Sequence, residues 1–180
     1  MSLRADRKKL SYEDYVLYPN DGKRHEIVDG DHFMNPSPNL DHQTISRRLQ
    51  FELYQKIELT GLGQVFDAPT DVQLSPHDIV VPDLVVVLKE NRILTPSRIK
   101  GVPDLIVEIL SPSNRDYDTG LKRTTYERAG VPEYWIVDPE SREIDPLRLE
   151  DGVYSSAGVV SDRIRFTGLP DLEIDLSRVW

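Results

Sequence analysis

The 180-residue chain has no cysteine, which excludes disulfides, thiolate metal sites and a cysteine nucleophile, and suits a reducing cytoplasm. It has no apolar run near the ~20 residues a bilayer-crossing helix needs, so no membrane association is expected. The basic N-terminal stretch from Arg4 to Lys9 leads into no apolar segment, unlike a secretory signal. There is no glycine-rich phosphate loop and no nucleophile-elbow serine. His25, His32, His42 and His77 lack zinc-ligand spacing on any single element. Positive charge is also scarce: 22 Lys and Arg face 31 Asp and Glu, for a net charge of −9. That balance is unfavourable for sequence-independent binding to a phosphate backbone. Cations nevertheless cluster at Arg4 to Lys9, Arg47-Arg48, Lys89 to Lys100 and Lys122-Arg123-Arg128, so a basic face on an acidic protein remains open.

What is present fits one globular domain over residues 1–180, with residues 1–10 as a flexible N-terminus. Ser11-Tyr12-Glu13-Asp14 predicts a capped short helix ended by Pro19. Asp29-Gly30 between His25-Glu26-Ile27-Val28 and His32-Phe33-Met34 predicts a hairpin. A helix is expected over roughly Asp41 to Leu59, because Ile45, Leu49, Leu53 and Ile57 recur at i+4 and Gly61 follows as a stop. Strands are expected at Gln64 to Asp67, Asp71 to Leu74, Val80 to Val87 and Leu105 to Leu110. A polar loop or short helix is expected from Lys89 to Lys100. A second helix, from about Arg115 to Ala129, is closed by Gly130. Strands at Tyr134 to Val137, Ile144 to Leu149 and Gly152 to Ser155 follow, then a terminal hairpin of Arg163 to Phe166 with Leu172 to Leu176. This order indicates an α/β or α+β fold in which Leu105–Leu110 and Tyr134–Val137 run parallel through a right-handed crossover.

Two acids stand out against this pattern. Glu108 interrupts Leu105-Ile106-Val107-Glu108-Ile109-Leu110, a run that reads as a strand covered on both faces, where an unpaired carboxylate is costly. Asp83 interrupts a second aliphatic run, Val80 to Leu88. On adjacent strands, about 4.8 Å apart, the two could ligate one hard cation. Asp104 lies four residues before Glu108, ~13 Å away along an extended strand, and Asp171 sits in an acidic tail. Structural alternatives exist for each residue: a strand-edge role for Asp83, an arginine partner for Glu108, and an i,i+4 pair with Asp118 on a solvated face for Lys122. Functionally, Lys122 could reach back over the sheet to orient water and stabilise transition-state charge, whereas Arg123 points about 100° away. Glu26 could be a further ligand or simply a cross-hairpin ion pair. His42 could carry a proton or cap its helix. Ser111, Ser113 and Asn114 could hold a phosphate or act as plain caps.

His25-Glu26-Ile27-Val28-Asp29-Gly30, Pro82-Asp83-Leu84-Val85-Val86-Val87, Val107-Glu108-Ile109-Leu110-Ser111-Pro112-Ser113 and Gly130-Val131-Pro132-Glu133-Tyr134-Trp135-Ile136-Val137-Asp138-Pro139 together resemble the Uma2 family, or DUF820. Those proteins are restriction-endonuclease-like members of the PD-(D/E)XK superfamily, and the resemblance runs from about Ser11 to Trp180. It implies a restriction-endonuclease-like core, a mixed central sheet flanked by helices. Asp83 and Glu108 look like the family's metal-binding acids, and Glu26 is similar to its N-terminal acid. Lys122 looks like the family lysine relocated to the helix, since the superfamily's Glu-x-Lys would place it at position 110, which is Leu110 here.

The expected function is therefore a Mg²⁺-dependent endonuclease cutting DNA, with Mn²⁺ as a possible substitute. Asp83, Glu108 and the Ile109 carbonyl would hold the ion, Lys122 would place the water, and Glu26 would assist. A homodimer would suit the cutting of two strands. Two alternatives stand beside it: a non-catalytic nuclease-fold module that binds DNA or protein, and a phosphohydrolase acting on a small metabolite.

Overall fold

The computed structural model describes residues 8–35 and 38–180. The first part of the basic Arg4 to Lys9 cluster and of the expected flexible N-terminus lies outside them, as do positions 36 and 37 of the loop before the long helix. In chain order the elements are α1 (Tyr12–Tyr15), β1 (Arg24–Val28), β2 (Asp31–Asn35), α2 (Leu40–Leu53), β3 (Gly63–Asp67), β4 (Val72–Ser75), β5 (Asp78–Val80), β6 (Leu84–Leu88), β7 (Ile99–Lys100), β8 (Leu105–Ile109), α3 (Arg123–Ala129), β9 (Glu133–Asp138), β10 (Glu143–Glu150), β11 (Val153–Ser156), β12 (Arg163–Arg165) and β13 (Glu173–Asp175). A π-helical turn, Tyr54–Glu58, extends α2, and another, Tyr117–Lys122, leads into α3. Leu10 is bonded to the body of the fold: its N–H donates to the Gly30 carbonyl, and its carbonyl accepts from His77 Nδ1.

Pro82 divides the longest aliphatic run between two sheets. The continuous strand expected over Val80 to Val87 is instead β5 in a five-stranded sheet ordered β2-β1-β5-β4-β7 and β6 in a six-stranded sheet ordered β11-β10-β9-β8-β6-β3. The cause is local. Proline cannot donate to a ladder, and the preceding Val81 N–H is diverted to Glu26 Oε1 at 2.7 Å. Asp83 therefore sits at the crossing between sheets, one residue before β6, and not within a strand as its sequence surroundings suggested. The segment from Lys89 to Lys100, expected as loop or short helix, contributes the short strand β7, parallel to β4. β8 and β9 pair in parallel, with Glu108 opposite Ile136.

Alternation on the six-stranded sheet builds two cores. Leu84, Val86, Leu105, Val107 and Ile109 face Ile45, Leu49, Leu53 and Ile57 of the long helix, together with the C-terminal hairpin. Val85, Val87, Ile106 and Tyr134 face the other way, towards Val28, Val72 and Val80 of the five-stranded sheet and Tyr126 of α3. Period-two alternation puts Glu108 on the Ile106 face, between the sheets, and not against the long helix. That layer boundary is where the remaining polar residues converge.

Candidate active site

Glu26, Asp83, Glu108 and Asp118 are carboxylates buried to 2% exposure or less, and Lys122, 1% exposed, lies among them. They arrive from four separate places in the chain. Glu26 is the centre of β1, Asp83 is the residue at the sheet crossing, Glu108 is in β8, and Asp118 and Lys122 share the π-helical turn. Such a turn is wider than an α-helical one and recurs at functional sites. Here it carries both of its charged residues into the interior.

Lys122 Nζ lies 2.7 Å from Glu108 Oε1, 2.9 Å from Glu26 Oε1 and 3.9 Å from Asp118 Oδ1, and 5.5 Å from the centre of the Tyr117 ring. The i,i+4 pair with Asp118 exists, but it is buried, not on a solvated face. Glu108 Oε1 also accepts from the Tyr126 hydroxyl at 2.6 Å. Glu26 further accepts from Asn35 Nδ2 across the hairpin and from the Val81 N–H. Its main ionic partner is thus Lys122, outside its own hairpin. Asp83 has a separate set of donors: Arg24 Nη1 at 2.6 Å on Oδ1, with His42 Nε2 and the Ile109 N–H both at 2.9 Å on Oδ2. Arginine therefore pairs with Asp83, and lysine with Glu108. The Leu110 N–H and the Val137 carbonyl close the ladder to β9, so the Ile109 N–H points to the opposite edge, where it donates to Asp83.

The electrostatics follow from having more buried acids than cations. Burial pushes Glu108 up to about 7, against the pull of Lys122 and with the charges of Asp83 and Glu26 adding to the rise. Burial raises Asp118 further, to about 9, reinforced by Glu108, and its Oδ2 has no hydrogen-bond partner. Burial would also raise Asp83, but the His42 hydrogen bond and the Arg24 charge outweigh it and hold its carboxyl below the usual range. Lys122 is held charged: burial opposes the charge, and Glu108, Glu26 and Asp118 together override it.

His42 is buried in the first turn of α2. Asn39 Oδ1 caps that helix through the His42 N–H at 2.8 Å, leaving the imidazole free to reach Asp83. Ser111 and Asn114 bond to each other, Asn114 Oδ1 accepting the Ser111 N–H at 2.6 Å, as local caps do. Asp104 accepts from the Leu88 N–H and Asn91 at the other end of β8, and Asp171 is exposed. Sequence reasoning missed Arg24, Tyr126 and the burial of Asp118. Only the Asp118–Lys122 spacing carried any signal of this.

A family model described as "Putative restriction endonuclease", Uma2, matches residues 12–177. The chain belongs to the Uma2 family. The Synechocystis sp. protein slr1290, described as uncharacterized, is 28% identical over 146 residues, covering 79% of this chain and 76% of that one. The fold is similar to that of a crystal structure from Anabaena variabilis, described as a "putative nuclease belonging to DUF820". The two agree at a TM-score of 0.77 with 17% identity, over 94% of this chain and 97% of the other. The mixed α+β architecture is thus a nuclease-like one.

In this Uma2 chain the position of a Glu-x-Lys lysine is filled by Leu110, 4% exposed and apolar, while Lys122 reaches Glu108 from the following helix. Among the described residues, no three His, Asp or Glu side chains are grouped as a ready metal cage. The donor set nevertheless suits a hard cation. Glu26, Asp83, Glu108 and Asp118 supply oxygen atoms, the ligand type such ions take, with Lys122, Arg24 and the His42 imidazole as their cationic and hydrogen-bonding partners. Asp83 and Glu108, close enough that the charge of one raises the other, are the acids that would take such an ion, with the Ile109 carbonyl as the expected third group.

Proposed function

We propose that this Uma2 protein is a Mg²⁺-dependent endonuclease that hydrolyses phosphodiester bonds in DNA. The observation that carries the reading is Lys122: a fully buried lysine, anchored by Glu108 and Glu26, beside an anionic cluster that connects to Asp83. Burying a lysine among acids is costly to arrange, and a site of this composition stabilises charge that develops in a dry environment.

Asp83, Glu108 and the Ile109 carbonyl would hold Mg²⁺ or Mn²⁺, which when bound would polarise the scissile phosphate and lower the pKa of the attacking water. The chain's own groups do the rest. Two of the three ammonium protons of Lys122 are committed to Glu108 and Glu26, leaving one to direct at a water oxygen or a phosphoryl oxygen. Glu26 fixes that ammonium and, with Asn35 and Val81 on its own oxygens, cannot swing away. Tyr126 pins the Glu108 carboxylate, and His42 pins Asp83. The half-buried Arg24 lies at the solvent side of Asp83, where it would meet the incoming phosphate. A two-fold dimer would place two such sites on the two strands of a duplex.

The test is cleavage of plasmid and structured DNA in Mg²⁺ or Mn²⁺, with Asp83→Ala and Glu108→Ala alongside. Equal activity in all three proteins would sink the assignment. A second reading has one observation in its favour: Lys122 and Arg24 already satisfy the acids with ion pairs, as in a purely structural network. Such a module would bind DNA or protein without catalysis. Calorimetric titration with Mg²⁺ separates the two, since that module needs no saturable site dependent on Asp83.

A further inference from the structure

The outer face of α2 begins at the opening above Asp83 and carries a basic and aromatic stripe that the proposed chemistry does not use. A cavity of about 320 Å³ reaches Asp83 and is lined by Arg24, His42, Gln43, Arg47 and Gln50, with Asp67 as a further acid on its rim. Gln43, Arg47, Gln50, Phe51 and Tyr54 follow at i, i+4, i+7, i+8 and i+11, the spacing of one helix face. Phe51 is 55% exposed and Tyr54 40%, so two rings stand in solvent on a helix whose opposite side supplies the core. Arg47, Arg48 and Arg178 surround Phe51 around a second hollow of about 400 Å³.

The charges on this stripe are compensated unequally. Arg47 has no ion-pair partner among the described residues. Arg48 donates to the carbonyls of Val179 and Trp180 instead of to a carboxylate side chain. Arg178 is the exception, lying 3.7 Å from buried Glu52. On a chain of net charge −9, Arg47, with Arg48 beside it held only by main-chain oxygens, next to exposed rings and continuous with the catalytic opening, fits one occupant by charge and by shape. A polynucleotide strand offers phosphates to the arginines and base faces to the rings.

We infer that the Gln43–Phe51 face of α2, continued by Tyr54 of the π-helical turn, is a track for a single-stranded nucleic-acid segment, which leads the strand to the Asp83 opening. The strand's phosphates lie against Arg47 and Arg48, and one or two unpaired bases stack on Phe51 and Tyr54. From His42 to Phe51 the helix advances nine residues, about 13 Å at 1.5 Å each, which spans up to roughly four stacked nucleotides at 3.4 Å per step. Stacking needs bases released from pairing, so the track prefers single-stranded segments, flaps or bubbles over an intact duplex. This inference rests on the nuclease reading for the direction of the strand, but not for its binding.

The experiment is fluorescence anisotropy of a labelled 20-nucleotide DNA strand, and of the same sequence as duplex, against the full chain in EDTA so that nothing is cut. Wild type is expected to bind the single strand more tightly than the duplex. Phe51→Ala is expected to weaken single-strand binding roughly 5- to 100-fold, with Phe51→Tyr retaining it. Arg47→Ala is expected to reduce the slope of log K against log salt by about 0.7, the share of one phosphate contact on a single strand. Lys89→Ala, an exposed cation on another element, is the control and should bind as wild type does. Each of these side chains is exposed, so unchanged thermal melts should accompany the losses.

No binding by wild type, or wild-type binding by Arg47→Ala and Phe51→Ala, overturns the track and leaves this face to a protein partner. A protein that cuts DNA but binds through other residues refutes the track and leaves the nuclease reading standing. Loss of binding in both variants of a protein that never cuts does the reverse.

Discussion

Replacing Lys122 with methionine is the most searching test of the site's electrostatics, because the side chains are similar in length and differ in charge. In the folded protein Lys122 is the cation shared by Glu108, Glu26 and Asp118, at 2.7, 2.9 and 3.9 Å. Removing one partner of a buried ion pair leaves the other uncompensated and typically costs about 3–5 kcal/mol. For a domain of this size that corresponds to a fall of roughly 6–20 °C in Tm. The loss depends on pH, and its sign is fixed by the carboxyls. Glu108 is raised from 4.5 to about 7 and Asp118 from 3.8 to about 9, so the native state holds their protons more tightly than the unfolded chain does. Stability therefore falls as pH rises through those two windows. Without Lys122, which lowers both groups, the windows extend upwards. The Lys122→Met deficit should thus be small near pH 5, where the carboxyls take up protons, and largest at pH 8–9. Urea denaturation of both proteins across pH 5–9 measures it. Adding Glu108→Gln to Lys122→Met should recover part of the loss by removing one stranded charge. Equal stability at pH 8, or a deficit that grows on acidification, would refute the picture of a lysine held by an excess of buried acid.

Asp118→Asn should stabilise the protein at alkaline pH by on the order of 1–3 kcal/mol and flatten its stability profile above pH 4, because this acid, whose Oδ2 has no hydrogen-bond partner, no longer has to ionise in the interior; chemical denaturation at pH 6 and pH 9 checks it. Mg²⁺ at a hundred times its Kd should add about 2.7 kcal/mol to wild type, seen as a rise in Tm, and nothing to Asp83→Asn. His42→Phe should lower the affinity for Mg²⁺ in calorimetry by roughly 10- to 100-fold through loss of the hydrogen bond that orients Asp83; unchanged affinity would show that Arg24 and the Ile109 N–H suffice. Leu49→Ala, at the centre of the α2 contact with the sheet, should cost about 2–5 kcal/mol without altering the pH dependence, as read from urea midpoints.

Elements whose causes are local are legible in the chain's own pattern. The i+4 recurrence of Ile45, Leu49, Leu53 and Ile57 specified the face of the long helix that enters the core. Asp29-Gly30 specified the first hairpin, where both residues take positive φ. Two aliphatic runs specified buried strands, and the strand–helix–strand unit specified the parallel pairing of β8 with β9. Because a carboxylate among branched aliphatics is costly to bury, Glu108 could be singled out from the sequence alone. The Uma2 motifs were legible for the same reason, being contiguous strings.

What those acids meet depends on how segments distant in the chain pack together. Pro82 ends one strand and lets the chain cross to the other sheet, which moves Asp83 out of a strand and under Arg24 and His42. The π-helical turn rotates Asp118 and Lys122 inward together, although their spacing is equally that of a solvated ion pair. Which lysine, arginine or histidine pairs with a buried acid depends on where separate layers stack. That is set by the summed packing of two cores and leaves no periodicity in the chain around Lys122.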